Sequence, residues 1–421
     1  MAEPLKVIIN AQLVSGYYGG IEQFLIGLVS SLGKLTDGPE EYLIITSWED
    51  PHWLSPYLGP NQRIISAPKP GLTGRMRGYL RPFRTPLLRL RRQLQRFIPY
   101  NAQPKIPISD GFLESFGAAL VHFPYQQYIR CQLPSIYTPH DLQHRHYPEF
   151  YTPDELAMRE SIYTAGCHES DAIIVESHSA KEDIIEQYEV EAGKIQEIRC
   201  GAPTELYSPV SADIKAQVSA KYHLPEQFAF YPAQTWRHKN HLGLLEAIAR
   251  LRDTRQYRLS LVCAGRQNDF FPVIQQHIDD LHLRDQVQFL GFVSETELRT
   301  LYQLSTFIVF PSLFEGAGLP VLEAFREGKA IACSNVTSLP EYGGEAVLTF
   351  EPGSVEAITE ALRRMATDEA LRETLQARGT ERIQLFTWER MGRTVRALYR
   401  KVAGRQLTAE DCQLLEGETH G

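Results

Sequence analysis

Residues 172–200 read AIIVESHSAKEDIIEQYEVEAGKIQEIRC, and this stretch decides the fold. The segment AIIVES is apolar and β-branched, which is typical of a buried strand. The segment SAKEDIIEQY has the apolar spacing of an amphipathic helix, and KIQEIRC predicts a second strand. A strand, a helix and a strand in this order predict two parallel strands of one sheet, joined by a helix that covers the sheet.

The same alternation of strands and helices extends along almost the whole chain. It breaks near Gly201–Pro209, where the sequence GAPTELYSP predicts a hinge, and it begins again with the strand FAFYPA. The pattern predicts an α/β fold of two doubly wound parallel sheets in tandem. We place the first domain at 1–203, with a basic insertion at about 70–105, and the second domain at 204–386.

Composition limits the class of protein. The 421 residues are 43% hydrophobic and 22% charged, which suits two domains with real cores and excludes a disordered chain. The net charge of −8 argues against a general nucleic-acid binder. The sequence predicts neither a transmembrane helix nor a signal peptide. Six scattered cysteines without a CxxC pair are typical of reduced thiols, so we expect a cytoplasmic protein.

One segment departs from this acidic balance. Residues 51–109 contain eleven Lys and Arg and no Asp or Glu, and eight of the arginines fall between Arg75 and Arg96. Thr85-Pro86 predicts a helix start, and leucines follow at helical spacing. A basic amphipathic helix can lie on an anionic membrane surface or bind an anionic acceptor, which would make the protein peripheral to a membrane. It can equally be a solvated helix docked on its own domain.

Two glycine-rich loops are candidate ligand sites. The first loop contains Gly19 and Gly20 ahead of a predicted helix, and it matches neither GxGxxG nor a P-loop. The second loop, FEGAGLPVLE at 314–323, follows a buried strand and has Pro320 where a helix should begin. Free N–H groups from Ala317 to Leu322 at that helix end favour a diphosphate. Glu315 could accept hydrogen bonds from sugar hydroxyls, and Glu323 from the vicinal hydroxyls of a ribose.

Two further segments follow predicted strands at the edge where such folds bind ligands. In the first, WRHKN at 236–240, Arg237 and Lys239 could neutralise the phosphate of a departing nucleotide. The second is HDLQHRH at 140–146. Its three histidines lack a second cluster of carboxylates or thiolates, so we expect no metal site and interpret His140-Asp141 as a polar pair facing an interdomain cleft.

These segments together resemble the retaining glycosyltransferases of family 4, in particular the mannosyltransferase-like members. The resemblance covers nearly the whole chain. It rests on GGIEQF, HDLQHRHYPEF, WRHKNHLGLLEAI, FPSLFEGAGLPVLEAF and SNVTSLPEYGGEAVLTF, among others. It implies a GT-B fold, in which two Rossmann-like domains face a cleft. It also implies that the segment 387–421 contains a helix, near 389–403, and a tail. This helix is expected to cross back onto the first domain.

The resemblance further implies a set of functional residues. Catalytic roles fall to His140, Glu315, Lys239 and Arg237. Donor-binding roles fall to Gly19, Gly20, Gly265, Arg266, Phe292, Val293, Gly316, Ala317, Gly318, Leu319, Val321, Leu322 and Glu323. The implied reaction moves a hexose, mannose from GDP-mannose first, from a nucleotide sugar to a glycan or lipid-linked acceptor. Neither a metal nor another cofactor is expected.

The chain departs from the family pattern at two points. Many relatives have a Gly-Arg pair where this chain has Ala233-Gln234, and Cys200-Gly201 replaces the usual Asn-Gly before the hinge. Other interpretations stay open at this point: UDP-glucose or another UDP-sugar donor, a GT-B epimerase or phosphorylase, and a non-catalytic nucleotide-sugar binder. An NAD-dependent oxidoreductase is disfavoured because GxGxxG is absent.

Overall fold

A computed structural model describes residues 4–16, 19–69 and 105–417 of the chain, without the side chains of residues 204 and 205. The described residues form two compact units. Of the described residues, unit 1 comprises 4–16, 19–69, 105–175, 181–198 and 392–417, and unit 2 comprises 176–180 and 199–391. The predicted basic helix from Thr85-Pro86, with Arg75–Arg96, lies outside the described residues. The domain boundaries predicted above stay a prediction.

Unit 1 is built on a seven-stranded parallel sheet in the order β3-β2-β1-β4-β5-β6-β7. Its elements, in chain order, are β1 Leu5–Ala11, α1 Gly20–Lys34, β2 Glu40–Thr46, β3 Gln62–Ser66, β4 Leu120–Phe123, β5 Ser135–Tyr137, α2 Gln143–His146, α3 Pro153–Glu169, β6 Ala172–Val175, α4 His178–Tyr188 and β7 Ile195–Glu197. The central strands β1, β4 and β6 are buried almost throughout, as expected for a sheet covered on both faces.

Unit 2 is built on a six-stranded parallel sheet in the order β10-β9-β8-β11-β12-β13. Its elements are α5 Ala212–Tyr222, β8 Ala229–Pro232, α6 His241–Arg255, β9 Leu261–Ala264, α7 Phe271–Asp280, β10 Val287–Phe289, α8 Glu295–Leu304, β11 Phe307–Phe310, α9 Leu319–Arg326, β12 Ile331–Ser334, α10 Ser338–Gly343, β13 Leu348–Phe350, α11 Val355–Thr367 and α12 Glu369–Arg382.

Two further helices end the described chain, α13 Trp388–Val402 and α14 Ala409–Glu416. Helix α13 begins in unit 2, and its residues from Gly392 onward belong to unit 1. In unit 1 the Tyr399 hydroxyl lies 2.7 Å from Nδ1 of His122, which is fully buried in β4. Arg400 pairs with Glu40 at 2.7 Å and with Asp411 at 2.9 Å, so the helix is fixed to its unit by buried polar contacts.

The strand order gives each unit a topological switch point. There, the chain connects from one of two neighbouring strands toward one edge of the sheet and from the other strand toward the opposite edge. The switch point lies between β1 and β4 in unit 1 and between β8 and β11 in unit 2. In unit 2, Phe307 pairs with Ala229 and Ile308 with Phe230 across this point. Because ligands of doubly wound sheets bind outside the carboxyl ends of the strands there, the loops that follow these four strands define the candidate sites.

The structure confirms the predicted fold class, since both sheets are parallel and carry helices between their strands. The sequence SETE at 294–297 predicts a capping box, and the structure contains it. The Glu297 N–H donates to the Ser294 hydroxyl, and Glu297 accepts from the Ser294 N–H at 2.9 Å. The second strand of the deciding stretch is shorter than predicted, because the chain leaves the sheet after Ile198 and enters unit 2.

Candidate functional site

The loops that follow β8 and β11 bring Lys239 and Glu315 together at the switch point of unit 2. The Lys239 ammonium donates to Oε1 of Glu315 at 2.6 Å, and the two side chains are only 16% and 12% exposed. The ammonium also lies 5.2 Å from the ring centroid of Phe310, the last residue of β11. Between these loops, the Leu313 N–H donates to the His238 carbonyl at 2.7 Å. The two residues therefore form a nearly desolvated ion pair.

Hydrogen bonds from three other segments fix the Glu315 loop. The Glu315 N–H donates to the hydroxyl of Thr337 at 3.0 Å, and the Ser338 hydroxyl donates to the Glu315 carbonyl at 3.0 Å. The buried hydroxyl of Ser177 donates to the carbonyl of Gly316 at 2.9 Å. Sequence reasoning missed these three positioning side chains. The segment SNVTSLPE carried a signal for Thr337 and Ser338, whereas Ser177 lies 139 residues from its partner.

Helix α9 starts directly after this loop, with Pro320 in its first turn as predicted. The expectation of free N–H groups through Leu322 is corrected in part. Val321 and Leu322 are fully buried, and both N–H groups donate to the Gly318 carbonyl, at 3.0 and 3.1 Å, because the helix closes its first turn there. The donors left at this helix end are the N–H groups of Ala317, Gly318 and Leu319, for which the described residues supply no acceptor.

Glu323, one turn into α9, is buried and 8% exposed. Its Oε2 accepts a hydrogen bond of 2.5 Å from the hydroxyl of Tyr302 in α8. Burial raises the pKa of the Glu323 carboxyl to about 7, the Tyr302 hydrogen bond opposes that rise, and the charge of Glu327 adds to it. The carboxylate thus lies against the sheet side of α9 and has little contact with solvent.

Arg237 and Gln234 occupy the same loop as Lys239. Arg237 is exposed, and its guanidinium carbon lies 5.2 Å from the ring centroid of Phe270. No side chain among the described residues accepts a hydrogen bond from that guanidinium. Gln234 accepts from the indole N–H of Trp236 at 3.0 Å, so it is tied to its own loop. That Arg237 replaces the arginine of the missing Gly-Arg pair stays a prediction.

The loops after β9 and β10 complete this edge of the sheet. The Gly265 N–H donates to the Gly291 carbonyl at 2.8 Å, and a Cβ on Gly265 would lie 2.3 Å from the Ala233 carbonyl oxygen. Glycine is required there because its φ is 152° and the neighbouring backbone is in contact. Arg266 accepts a backbone hydrogen bond from Thr235 at 3.2 Å. The next two residues after Gly291 differ in exposure: Phe292 is 71% exposed and Val293 is buried.

In unit 1 the first glycine-rich loop lies at the switch point after β1. Gly19 has a φ of 54° and precedes α1, which begins at Gly20. Glu22 accepts from the Gly16 N–H at 2.8 Å and from the Ser15 hydroxyl at 2.6 Å. Glu22 therefore ties the loop to the first turn of α1.

His140 follows β5 and has a φ of 67°. Its Nε2 lies 3.0 Å from the Pro124 carbonyl oxygen, which can only accept, so Nε2 carries the proton. The ring packs edge-on against Phe24 of α1, with centroids 5.0 Å apart. His144 and His146 have other contacts, with Tyr163 and Asp183. Among the described residues, no group of three His, Cys, Asp or Glu could hold a metal ion.

Arg159 in α3 lies at the same edge of unit 1, and sequence reasoning missed it. It donates to the Gln126 side chain at 3.2 Å, and its guanidinium carbon lies 4.8 Å from the Tyr151 ring centroid. In the described part of the chain no carboxylate lies within 4 Å of this guanidinium, whereas Arg145, in the preceding helix, pairs with Glu160. No signal in the sequence separates these two arginines, because pairing is decided by the packing of α3.

Both halves of the chain match family models. Residues 18–206 match Glycosyltransferase Family 4, and residues 214–382 match Glycosyl transferases group 1. The chain is 30% identical over 256 residues to the O-antigen chain mannosyltransferase B of Escherichia coli. The aligned region covers 61% of this chain and 67% of that protein. The chain therefore belongs to the GT-B glycosyltransferases of the family 4 kind, and the expected glycosyltransferase activity is confirmed at this level.

A second relative and two solved structures extend the comparison. The serotype-specific mannosyltransferase WbdA of Escherichia coli is 34% identical over 222 residues, covering 52% of this chain but 27% of that longer protein. Sucrose-phosphate synthase from Thermosynechococcus elongatus has a TM-score of 0.67 at 20% identity, with 95% of this chain and 99% of that chain covered. WaaG, a glycosyltransferase involved in lipopolysaccharide biosynthesis, has a TM-score of 0.64 at 16% identity, with 95% and 100% covered. The two structures show the shared fold.

Among the described residues, no helix combines the length and the apolar character needed to cross a membrane.

Proposed function

We propose that this chain transfers a mannosyl group from GDP-mannose to a hydroxyl of a glycan or lipid-linked acceptor in polysaccharide biosynthesis, with retention of the anomeric configuration. The observation that carries the proposal is the Lys239–Glu315 pair, which lies at the switch point of unit 2 beside the N-terminus of α9. The relatives described above as mannosyltransferases support the choice of sugar.

The donor is proposed to bind along the carboxyl edge of the unit 2 sheet. Lys239 and Arg237 supply positive charge for the diphosphate, and the N-terminal N–H groups of α9 supply donors for it. Glu315 accepts from the hydroxyls of the sugar and Glu323 from those of the ribose. The base lies by Gly265, Arg266, Phe292 and Val293, where the exposed ring of Phe292 offers a stacking surface.

The proposed reaction occurs on one face of the sugar. The bond between the anomeric carbon and the diphosphate oxygen breaks as the acceptor oxygen bonds to the same face of that carbon. The proton of the acceptor hydroxyl passes to the departing diphosphate oxygen. Lys239 and Arg237 stabilise the charge on the leaving group, which is the main electrostatic contribution. Glu315 orients the sugar and is not a covalent nucleophile, so a glycosyl adduct trapped on Glu315 would contradict this mechanism.

Transfer is proposed to need no metal ion or other cofactor, because Lys239, Arg237 and the N-terminus of α9 already oppose the diphosphate charge. Activity that persists in excess EDTA supports this part of the proposal. Loss of activity in EDTA, restored by one divalent cation, contradicts it while leaving the donor site in place.

The acceptor is proposed to bind at the carboxyl edge of unit 1. His140 and Arg159 both lie there, and the Arg159 guanidinium is not neutralised by a carboxylate among the described residues. The suggestion that Arg75–Arg96 contacts an anionic membrane surface stays a prediction, and liposome flotation with and without anionic lipid tests it.

Thermal stabilisation of the full chain against GDP-mannose, UDP-glucose, UDP-N-acetylglucosamine, GDP, UDP and NAD tests the donor. A ligand present at about a hundred times its Kd should raise the Tm by about 5 °C through mass action. We expect the shift with GDP-mannose, and its loss in Lys239→Ala. Lys221→Ala is the matched control, because Lys221 forms a comparable pair with Glu297 that is far more exposed.

The other outcomes separate the competing functions. A shift with UDP-glucose alone keeps the transferase but changes its donor. Conversion of the nucleotide sugar without an acceptor indicates an epimerase, and a requirement for inorganic phosphate as co-substrate indicates a phosphorylase. A Tm shift with a nucleotide sugar, without sugar transfer to any acceptor in a mixture, indicates a non-catalytic nucleotide-sugar binder. A Tm shift with NAD alone overturns the proposal.

A further inference from the structure

Tyr302 is a buried residue for which the reaction described above has no role. It lies on α8, is fully buried, and packs edge-on against Phe230 of β8 with ring centroids 5.3 Å apart. Its hydroxyl donates to Oε2 of Glu323 at 2.5 Å, which is short for a hydrogen bond to a carboxylate. The packing fixes the ring and therefore fixes the position of the hydroxyl.

Polar side chains of α8 meet two glutamates in and just after α9, and only one of these glutamates is paired with a cation. One turn after Glu323, Glu327 has a charged partner, because Arg299 of α8 lies 2.8 Å from its Oε1. Glu323 has no cation: within the described part of the chain, Tyr302 is the one side chain that donates to it. The neutral hydroxyl satisfies one oxygen of Glu323 and leaves the charge of the carboxylate uncompensated.

We propose that Tyr302 is a positioning residue for donor binding, which holds one oxygen of Glu323 so that the other oxygen accepts from the ribose hydroxyls of the nucleotide. The inference rests on the proposed function, since it needs a nucleotide at the edge of unit 2. A neutral partner suits this role: a cation would saturate the carboxylate, whereas the hydroxyl orients it and leaves it a strong acceptor.

The same arrangement makes nucleotide binding depend on pH. The pKa of Glu323 is raised to about 7 by burial, so the carboxyl is protonated below that pH and loses acceptor capacity. Glu327 faces the same side and raises the pKa further. Charged side chains on the elements packed against α9 have partners other than Glu323. Arg299 pairs with Glu327, Arg382 donates to the carbonyls of Glu341 and Tyr342, and Glu341 accepts from the N–H groups of His178 and Ser179. On α12, Arg372 donates to the Met365 carbonyl and Arg378 to the Glu345 carbonyl.

The test measures binding of GDP and UDP, and of their 2′,3′-dideoxy forms, to the wild type and to Tyr302→Phe by calorimetry at pH 7. We expect Tyr302→Phe to weaken the preferred ribonucleotide about tenfold, which is the size of one charge-assisted hydrogen bond. The dideoxy form should bind both proteins within twofold, because it has no hydroxyl for Glu323 to accept from. Tyr222→Phe is the matched control, since its hydroxyl donates to Glu297 at 3.0 Å in the same unit.

A pH series with the nucleotide sugar gives a second readout. The affinity of the wild type should rise as the pH increases through about 7. In Glu323→Gln the affinity should not depend on pH. In Tyr302→Phe the midpoint of this rise should move to higher pH, because the hydrogen bond that lowers the pKa of Glu323 is absent. An equal loss on the ribonucleotide and its dideoxy form in Tyr302→Phe overturns the inference. If Tyr302→Phe does not fold, wild-type affinity that does not change with pH overturns it. Absence of any nucleotide binding by the wild type overturns the proposed function instead.

Discussion

At the scale of single residues, the Lys239–Glu315 pair shows what the sequence could and could not provide. Both residues were predicted as site residues, because each follows a strand whose carboxyl end lies at the ligand edge. Their direct pairing was not predicted, since the two positions are 76 residues apart and only the order β8-β11 makes their loops adjacent. The pair is also more buried than a surface loop would suggest.

We predict that removing one partner of this pair destabilises unit 2. Lys239→Met or Glu315→Gln alone should each lower the free energy of unfolding by about 2 kcal/mol, because each leaves a partly buried group unpaired. The loss of unfolding free energy in the double variant should be about 1–3 kcal/mol smaller than the sum of the losses in the two single variants. Urea unfolding of the four proteins measures this coupling.

The pair Lys221–Glu297 is the control for that cycle. Its lysine is 58% exposed, so solvent screens the interaction and the coupling should stay below about 1 kcal/mol. Equal coupling energies for the two pairs would contradict the claim that burial makes the Lys239–Glu315 pair special.

At the scale of elements, α9 is the part of the site that sequence reasoning described best. Glycines followed by Pro320 predicted a helix start, and the helix begins at Leu319. The number of free donors was overestimated, because local sequence does not show that Gly318 accepts from both Val321 and Leu322. The burial of Glu323 against Tyr302 depends on how α8 packs on α9, which no local pattern contains.

We predict that Gly318→Ala displaces the N-terminus of α9. A Cβ on Gly318 would lie 2.5 Å from Cβ and Cγ of Tyr342, which is itself held by a hydrogen bond from its hydroxyl to the Glu176 carbonyl. The variant should lose about 1–3 kcal/mol of stability and bind the nucleotide sugar more weakly.

Gly353→Ala is the control for the α9 substitution, since its nearest neighbour would be a flexible Glu351 oxygen at 3.4 Å. It should change the free energy of unfolding by less than about 0.5 kcal/mol. Urea unfolding and calorimetry compare the two variants, and unchanged nucleotide affinity in Gly318→Ala would show that this helix end does not bind the donor.

At the scale of the whole molecule, the C-terminal helix α13 makes unit 1 depend on the end of the chain. Its residues Val395, Leu398 and Tyr399 are buried in unit 1. Burial lowers the pKa of His122 to about 3, so this histidine is neutral at physiological pH and depends on Tyr399 and Thr138 for its hydrogen bonds. Arg396 and Arg400 add ion pairs to Asp37 and Glu40.

We predict that a chain ending at Met391 loses the cooperative unfolding of unit 1, because a buried helix face and the partner of His122 are removed together. Tyr399→Phe is the milder test and should cost about 1–3 kcal/mol, since it leaves Nδ1 of His122 buried without that partner. Tyr222→Phe, whose hydroxyl bonds a Glu297 carboxylate near the surface, should cost less. Calorimetric melting compares them, and a cooperative unit 1 transition in the shortened chain would contradict the dependence.

The sequence by itself determined the α/β class, the two parallel sheets, the helix starts at Ser294 and Leu319, and the loops that contain Glu315 and Lys239. These features follow from short-range patterns: apolar β-branched runs, helical spacing, capping residues and glycines before a proline. Only the tertiary structure decided that Lys239 pairs with Glu315, that Ser177 holds Gly316, and that Tyr302 rather than a cation meets Glu323. These contacts join residues 21 to 139 positions apart, and the order of strands and the packing of helices bring them together.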